Sequence, residues 1–383
     1  MRKHAFDGIK VVDLAAYIAG GYCSGLLADM GAQVVKVESW EGDAFRANVG
    51  GFQGWNRGKR GLVLDLRTPE GKEVLYRMVK GSDVVVENYR PGVAQRLGVD
   101  FETLQKVNQQ VIYCTVTAYG NQGSHTQTPG FDPLFQAMSG AMAYQGGEGN
   151  PPVFLRVAVS DYAAAILAAW GVAMALFHRA RTGRGQRVET CLANSTISVQ
   201  AGEFLFVDGV PWASPRMDSL GIDATHRLYR AKDAWLYLGC DTPGQWRQLC
   251  DALGREDLAD LWEADGTRKD DRITQALEGI LLHDNAEQWI DRLARLGLKT
   301  APVRTGQEIS QDPAMLDQGL TVDLDSPEYG PLKQTTPAFR LSETPGKVWG
   351  PAPALGQHTD EVLRELGYSG TEIQALRDKR VVP

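Results

Sequence analysis

The chain of 383 residues lacks the means for a disulfide or metal framework. Its five cysteines (Cys23, Cys114, Cys191, Cys240 and Cys250) are odd in number, widely spaced, and form no C-x-x-C pair. Four of them lie in apolar patterns that read as strands or helices, so buried, reduced thiols are expected. The six histidines show no metal-ligand spacing, and no metal is expected. A basic surplus is missing as well: Lys+Arg number 40 against Asp+Glu 47, a net charge of −7. That argues against a nucleic-acid partner and leaves room for a local cationic pocket. The longest apolar run, Tyr162 to Phe177, has sixteen residues. This falls short of the ~20 that span a bilayer, so no membrane partner is expected. Met1-Arg2-Lys3-His4 leads straight into folded-looking sequence without an apolar signal core, and the cytoplasm is the expected compartment.

Glycine is what the chain has in excess, 42 of 383 residues, without a collagen-like period. Turns and close backbone approaches are its expected uses. Short β-type runs alternate with helical patterns over the first 120 residues. Ile9–Leu14, Gln33–Val37, Leu62–Leu66, Val84–Val86 and Val111–Thr117 read as strands, and Ile18–Met30 reads as a helix. Thr68-Pro69 supplies an N-cap and a first-turn proline for the next helix. The class implied is α/β with a doubly wound parallel sheet. Residues 130–205 read as mostly helical, with one strand at Arg187–Cys191. From His226 the character changes to a hairpin, Arg227–Tyr229 with Ala234–Leu238, followed by helices. The expected division is a large Rossmann-like domain, 1–205 with 330–383, and a small α+β domain, 226–320. Residues 206–225 and 321–329 are the expected linkers.

A strand, a glycine turn, a helix and a second strand ending in Glu38 follow the dinucleotide-binding arrangement. The turn, Ala19-Gly20-Gly21-Tyr22-Cys23-Ser24-Gly25, does not fit G-x-G-x-x-G. A tight strand–helix connection is the better reading of the same residues, so a nicotinamide-dependent oxidoreductase is the weaker alternative.

Eight segments in order carry a resemblance. They are Gly31-Ala32-Gln33-Val34-Val35-Lys36-Val37-Glu38, Gly42-Asp43 with Arg46, Asn56-Arg57-Gly58-Lys59-Arg60, and Leu64-Asp65-Leu66. Further on come Glu87-Asn88-Tyr89-Arg90-Pro91-Gly92, Ser160-Asp161, Arg181-Thr182-Gly183-Arg184-Gly185-Gln186, and Ala352-Pro353 with Leu355-Gly356. Together they resemble the class III CoA-transferases (CaiB/BaiF type), which include formyl-CoA transferase and carnitine CoA-transferase. The resemblance runs from about residue 8 to the end of the chain. It implies a Rossmann-like domain built from both chain ends, a small domain from the middle, and a homodimer of interlocked rings.

The resemblance also implies an activity: CoA moves from an acyl-CoA to a free carboxylic acid, with coenzyme A entering as substrate and no redox cofactor. The family's nucleophilic aspartate matches Asp161, which would form an acyl anhydride and then an aspartyl-CoA thioester. Asp161 precedes a long helical run, where the helix dipole favours an ionised carboxylate by ~0.3–1 kcal/mol. Simple capping of that helix by Asp161 is the alternative reading of the residue pattern. The family's CoA contacts match Tyr17, Ile18, Ala19, Arg67, Asn88, Tyr89 and Arg96. Tyr89 suits stacking on adenine and Arg96 a bidentate phosphate contact. Solvated arginines and core-packed aromatics are the alternatives for these residues. Racemase relatives carry a histidine where this chain has Phe131, which disfavours an acyl-CoA racemase or epimerase. Asp132 lies where formyl-CoA transferase has an acid, and either contacts Asp161 or caps the next helix. Arg156 is a candidate anchor for the second carboxylate of a diacid. The glycine loop of formyl-CoA transferase has no counterpart in Gly239-Cys240-Asp241-Thr242-Pro243-Gly244, so a different acyl group, or a different protection of the anhydride, is expected.

Overall fold

The computed structural model describes residues 3–147, 149–209, 218–262 and 271–383. Six strands form the larger sheet: β1 (Lys10–Asp13), β2 (Gln33–Glu38), β3 (Arg60–Val63), β4 (Val84–Glu87), β5 (Ile112–Thr117) and β6 (Arg187–Cys191). Their order is β3-β2-β1-β4-β5-β6, and every pairing is parallel. This is the Rossmann order, in which the direction of winding reverses between β1 and β4.

The pleat accounts for the layers. Val12, Val35 and Val85 point to one face, and their neighbours Val11, Val34, Val84 and Val86 to the other. The first face is covered by the helix Pro69–Lys80 and by two chain-terminal helices, Thr359–Glu365 and Gly370–Asp378. The C-terminal segment adds Val362, Leu363, Ile373, Leu376, Val381 and Val382 to that core. The second face is covered by the helices Tyr17–Asp29 and Val159–Thr182. Both faces are dry, which is why the strands read as unbroken β-branched runs.

The chain divides into two compact units, one of 1–139, 156–204 and 313–383, the other of 140–155 and 205–312. The second unit carries an antiparallel sheet of β7 (Gly221–Asp223), β8 (His226–Arg230), β9 (Trp235–Gly239) and β10 (Lys299–Pro302), in the order β10-β9-β8-β7. Its core gathers Tyr229, Leu236, Trp246, Leu277 and Trp289. The boundaries differ from the sequence reading at both linkers. Residues 221–223 pair as a strand, and residues 210–217 of the same expected linker lie outside the described residues. Residues 321–326 are strand β11, paired with β12 (Gly330–Thr335) in the larger unit. Backbone pairing, invisible to composition, overrides their polar character. Residues 140–155 also join the smaller unit.

The sixteen-residue apolar run lies within a longer helix. The helix Val159–Thr182 has 24 residues and is long and apolar enough, by length and composition, to cross a membrane. Ala164, Ala165, Ala168, Val172 and Ala175 on this helix pack into the sheet core.

Candidate active site

The carboxyl ends of β1 and β4 meet where the sheet's winding reverses, and each is followed by a loop that a doubly wound sheet uses for ligands. Asn88 ties the two loops together: its Nδ2 donates to the Ala16 carbonyl at 2.6 Å, and its Oδ1 accepts from the Ala16 N–H at 2.9 Å. Tyr17, which opens the helix Tyr17–Asp29, has φ +63°, the left-handed region that bulky residues rarely enter. Its side chain is 53% exposed. Beneath this turn lies a charged cluster assembled from residues far apart in the chain. Asp13, Lys36, Asp43 and Lys59 are buried. Lys59 Nζ bonds Asp13 at 2.8 Å, the Gly21 carbonyl at 2.7 Å and Asn56 Oδ1 at 2.7 Å. Lys36 Nζ reaches the Ala15 carbonyl at 2.6 Å and Asp43 Oδ2 at 3.0 Å. Burial pushes the Asp13 carboxyl up, but the charges of Lys59 and Lys36 outweigh it and hold the group below its ordinary range.

Glu38 is fully engaged. It accepts from Arg46 Nε at 2.9 Å and Nη2 at 2.6 Å, and from the Asp43 N–H at 2.9 Å. The carboxylate is buried and held by these three donors instead of lying open to a ribose, which weakens the nicotinamide alternative. The glycines of the same turn lie inside the helix, not ahead of it. A Cβ on Gly20 would stand 2.3 Å from that of Ala15, and one on Gly25 2.6 Å from the Trp55 carbonyl oxygen. These glycines permit close packing and form no phosphate cradle.

Asp161 is the third residue of the helix Val159–Thr182, whose N-cap is Ala158 without a side-chain cap bond. Capping therefore does not explain it. The half-buried carboxyl has its pKa pushed up from 3.8 to about 7, first by burial and then by the nearby Asp132 carboxylate. This reverses the sequence expectation: desolvation and like charge outweigh the helix dipole. Asp132 is buried, its Oδ1 accepting from the Ser160 N–H at 2.7 Å and its Oδ2 from Gln136 Nε2. It is the first residue of its own helix, Asp132–Met138, whose N-cap is the exposed Phe131. A chain of rings leads from the Tyr17 turn to this place. Tyr17, Phe45 and Trp55 meet edge to face at 5.3 Å spacings, and Trp55 Nε1 donates to the Tyr162 hydroxyl at 3.0 Å.

The structure thus brings Tyr17 and Asn88 together at the reversal point, and Asp132 together with Asp161. Ile18 and Ala19 have buried side chains and offer a ligand their backbone alone. Tyr89 packs against the core while staying partly exposed, and burial pushes its phenol pKa up. Arg96 is exposed on the short helix Val93–Leu97. Arg67 follows β3, two strands from β1, and is exposed with Nε 2.8 Å and Nη2 2.9 Å from the Asp65 carboxylate. Arg156 is exposed, five residues before Asp161.

Together these define an α/β protein with a clamped turn at the sheet's reversal point and a desolvated carboxyl at a helix start. The model for CoA-transferase family III matches residues 6–359, and the chain belongs to that family. It is an enzyme of CoA transfer, with CoA thioesters as substrates. It is 31% identical to the succinate–glutarate CoA-transferase of Agrobacterium fabrum, covering 95% of this chain and 96% of that one. It is 33% identical to the succinyl-CoA:mesaconate CoA-transferase of Haloarcula hispanica, covering 95% and 96%. A crystal structure of a CaiB/BaiF family protein from Brucella suis superposes with a TM-score of 0.86 at 29% identity, over 95% of this chain and all of that one.

Proposed function

We propose that this chain transfers CoA between dicarboxylic acids, with succinyl-CoA as a donor and Asp161 as the covalent nucleophile. The observation that carries this reading is the Asp161 carboxyl itself, half-buried at a helix start, without a cap bond and with its pKa near 7. A carboxylate so desolvated is a stronger nucleophile than one in water and is still substantially ionised at neutral pH.

The steps balance without a metal or redox group. Ionised Asp161 attacks the thioester carbonyl, giving an acyl-aspartyl anhydride and CoA thiolate. The thiolate attacks the aspartyl carbonyl, forming an aspartyl-CoA thioester and releasing the donor acid. The acceptor carboxylate then attacks that thioester, and the returning thiolate takes the new acyl group and frees Asp161. The turn from Tyr17 to Ala19 and Asn88 take the pantetheine arm, Tyr89 the adenine, and Arg67 and Arg96 the phosphates. The relatives named above act on succinate, glutarate or mesaconate, all diacids. The exposed Arg156 supplies a cation for the second carboxylate.

A homodimer completes the reading. Ile166, Trp170, Met174 and Phe177 form an exposed apolar stripe along the helix Val159–Thr182, between 51% and 62% exposed. A second copy covering this stripe accounts for a face too apolar to stay wet. Trp170→Asp should then shift the sedimenting species toward the monomer mass. The activity is tested by mass-spectrometric screening of acyl-CoAs against free acids, with Asp161→Ala as control. Turnover retained by that variant would sink the assignment.

A further inference from the structure

The motif residues Lys36 and Asp43 take no part in the chemistry above, yet both converge on one turn. We infer that Asp43, backed by Lys36, is a positioning residue that locks the Tyr17 turn in the strained conformation that receives CoA. The inference rests on the CoA-transferase reading and concerns how its binding turn is built.

Three consecutive residues of this turn have their backbone groups held by side chains. Asp13 Oδ1 accepts from the Ala15 N–H at 2.9 Å, and Lys36 Nζ donates to the Ala15 carbonyl at 2.6 Å. Asn88 holds both polar groups of Ala16. Asp43 accepts from the Tyr17 N–H through Oδ1 at 3.3 Å and Oδ2 at 3.2 Å. Asp43 is itself fixed on three sides, by Lys36 at 3.0 Å, by the Phe45 N–H on Oδ1 at 3.0 Å, and through its own N–H to Glu38 at 2.9 Å. Tyr17 is one of two non-glycine residues with positive φ among the described residues, Arg380 being the other. Such a conformation persists where the surroundings over-determine it, and strain of this kind gathers at ligand sites. Asp43 is the acceptor on the strained residue itself, so it is the part of the clamp whose loss frees the turn. A turn already held in the bound shape spares the ligand the ordering of those residues.

The test is calorimetric titration of the full-length protein with CoA, in a cycle of wild type, Asp43→Asn, Tyr17→Gly and the double variant. Glycine occupies φ +63° without a clamp. Asp43→Asn should weaken CoA binding roughly tenfold in the native background, and less than about threefold once residue 17 is glycine. In turnover it should raise KM for acyl-CoA while leaving kcat within about threefold. Equal weakening in both backgrounds, or a fall in kcat at unchanged KM, would overturn the inference. Should Asp43→Asn not fold, Asp43→Glu keeps the charge opposite Lys36, moves only the acceptor, and carries the same expectations. Wild type that binds CoA alongside an Asp43→Asn variant that binds it equally well refutes the clamp alone. Wild type that binds no CoA refutes the CoA-transferase reading and the clamp with it.

Discussion

Replacing Asp161 by asparagine keeps the side chain's shape and removes its charge, and the structure sets how stability should respond. The carboxyl titrates near 7 in the folded protein against 3.8 ordinarily, so the folded state binds the proton more tightly than the unfolded one. The stability associated with the neutral acid is fully present below the unfolded pKa and is lost as pH rises through the folded one. A shift of about 3 units at about 1.4 kcal/mol each sets a ceiling of roughly 4 kcal/mol for the burden of the charge above neutrality. Between pH 5 and pH 8 wild type should lose roughly 2–3 kcal/mol relative to Asp161→Asn, with solvent reaching the half-buried group reducing that figure. Paired urea-unfolding curves at the two pH values measure this difference directly. The variant should be the more stable protein at pH 8, and its lead should narrow at pH 5. A lead that does not change with pH, or a wild type that gains on the variant as pH rises, would refute the assignment of a desolvated, charge-strained carboxyl.

The neighbouring groups give further expectations. Asp132→Asn removes the repelling charge and leaves burial, the larger cause, in place, so the rise of kcat/KM with pH should move to lower pH by a minority of the shift. A pH–rate profile checks this. Asn88→Ala breaks two bonds to Ala16 and should weaken CoA binding by about 1–3 kcal/mol, read by titration calorimetry. Arg57→Ala leaves Asp29 buried without its partner, whose guanidinium stands 3.0 and 2.6 Å from the carboxylate. It should destabilise the fold by about 3–5 kcal/mol in chemical denaturation.

The parallel sheet was legible because its strands, covered on both faces, read as runs such as Val84-Val85-Val86. The helix start at Thr68-Pro69 was legible for a local reason, since the threonine side chain accepts from the Gly71 N–H three residues on. What could not be read was anything set by distant packing. The titration of Asp161 depends on Asp132, 29 residues earlier in the chain, and on how much water the fold excludes. Ile18 and Ala19 matched a binding motif, yet their side chains face the core. Lys36, Asp43 and Asn88 stood in the recognised motifs, but only the folded sheet brings them onto one turn.

The central claim, that Asp161 carries the acyl group and then CoA, is tested most directly by trapping the intermediate. The protein would be incubated with succinyl-CoA, quenched in acid within the turnover time, and its peptides analysed by mass spectrometry. A succinyl or CoA adduct on the peptide containing Asp161, absent from Asp161→Asn, is the expected result. Full CoA transfer by the wild type with no adduct at Asp161, together with turnover by Asp161→Asn, would contradict the account.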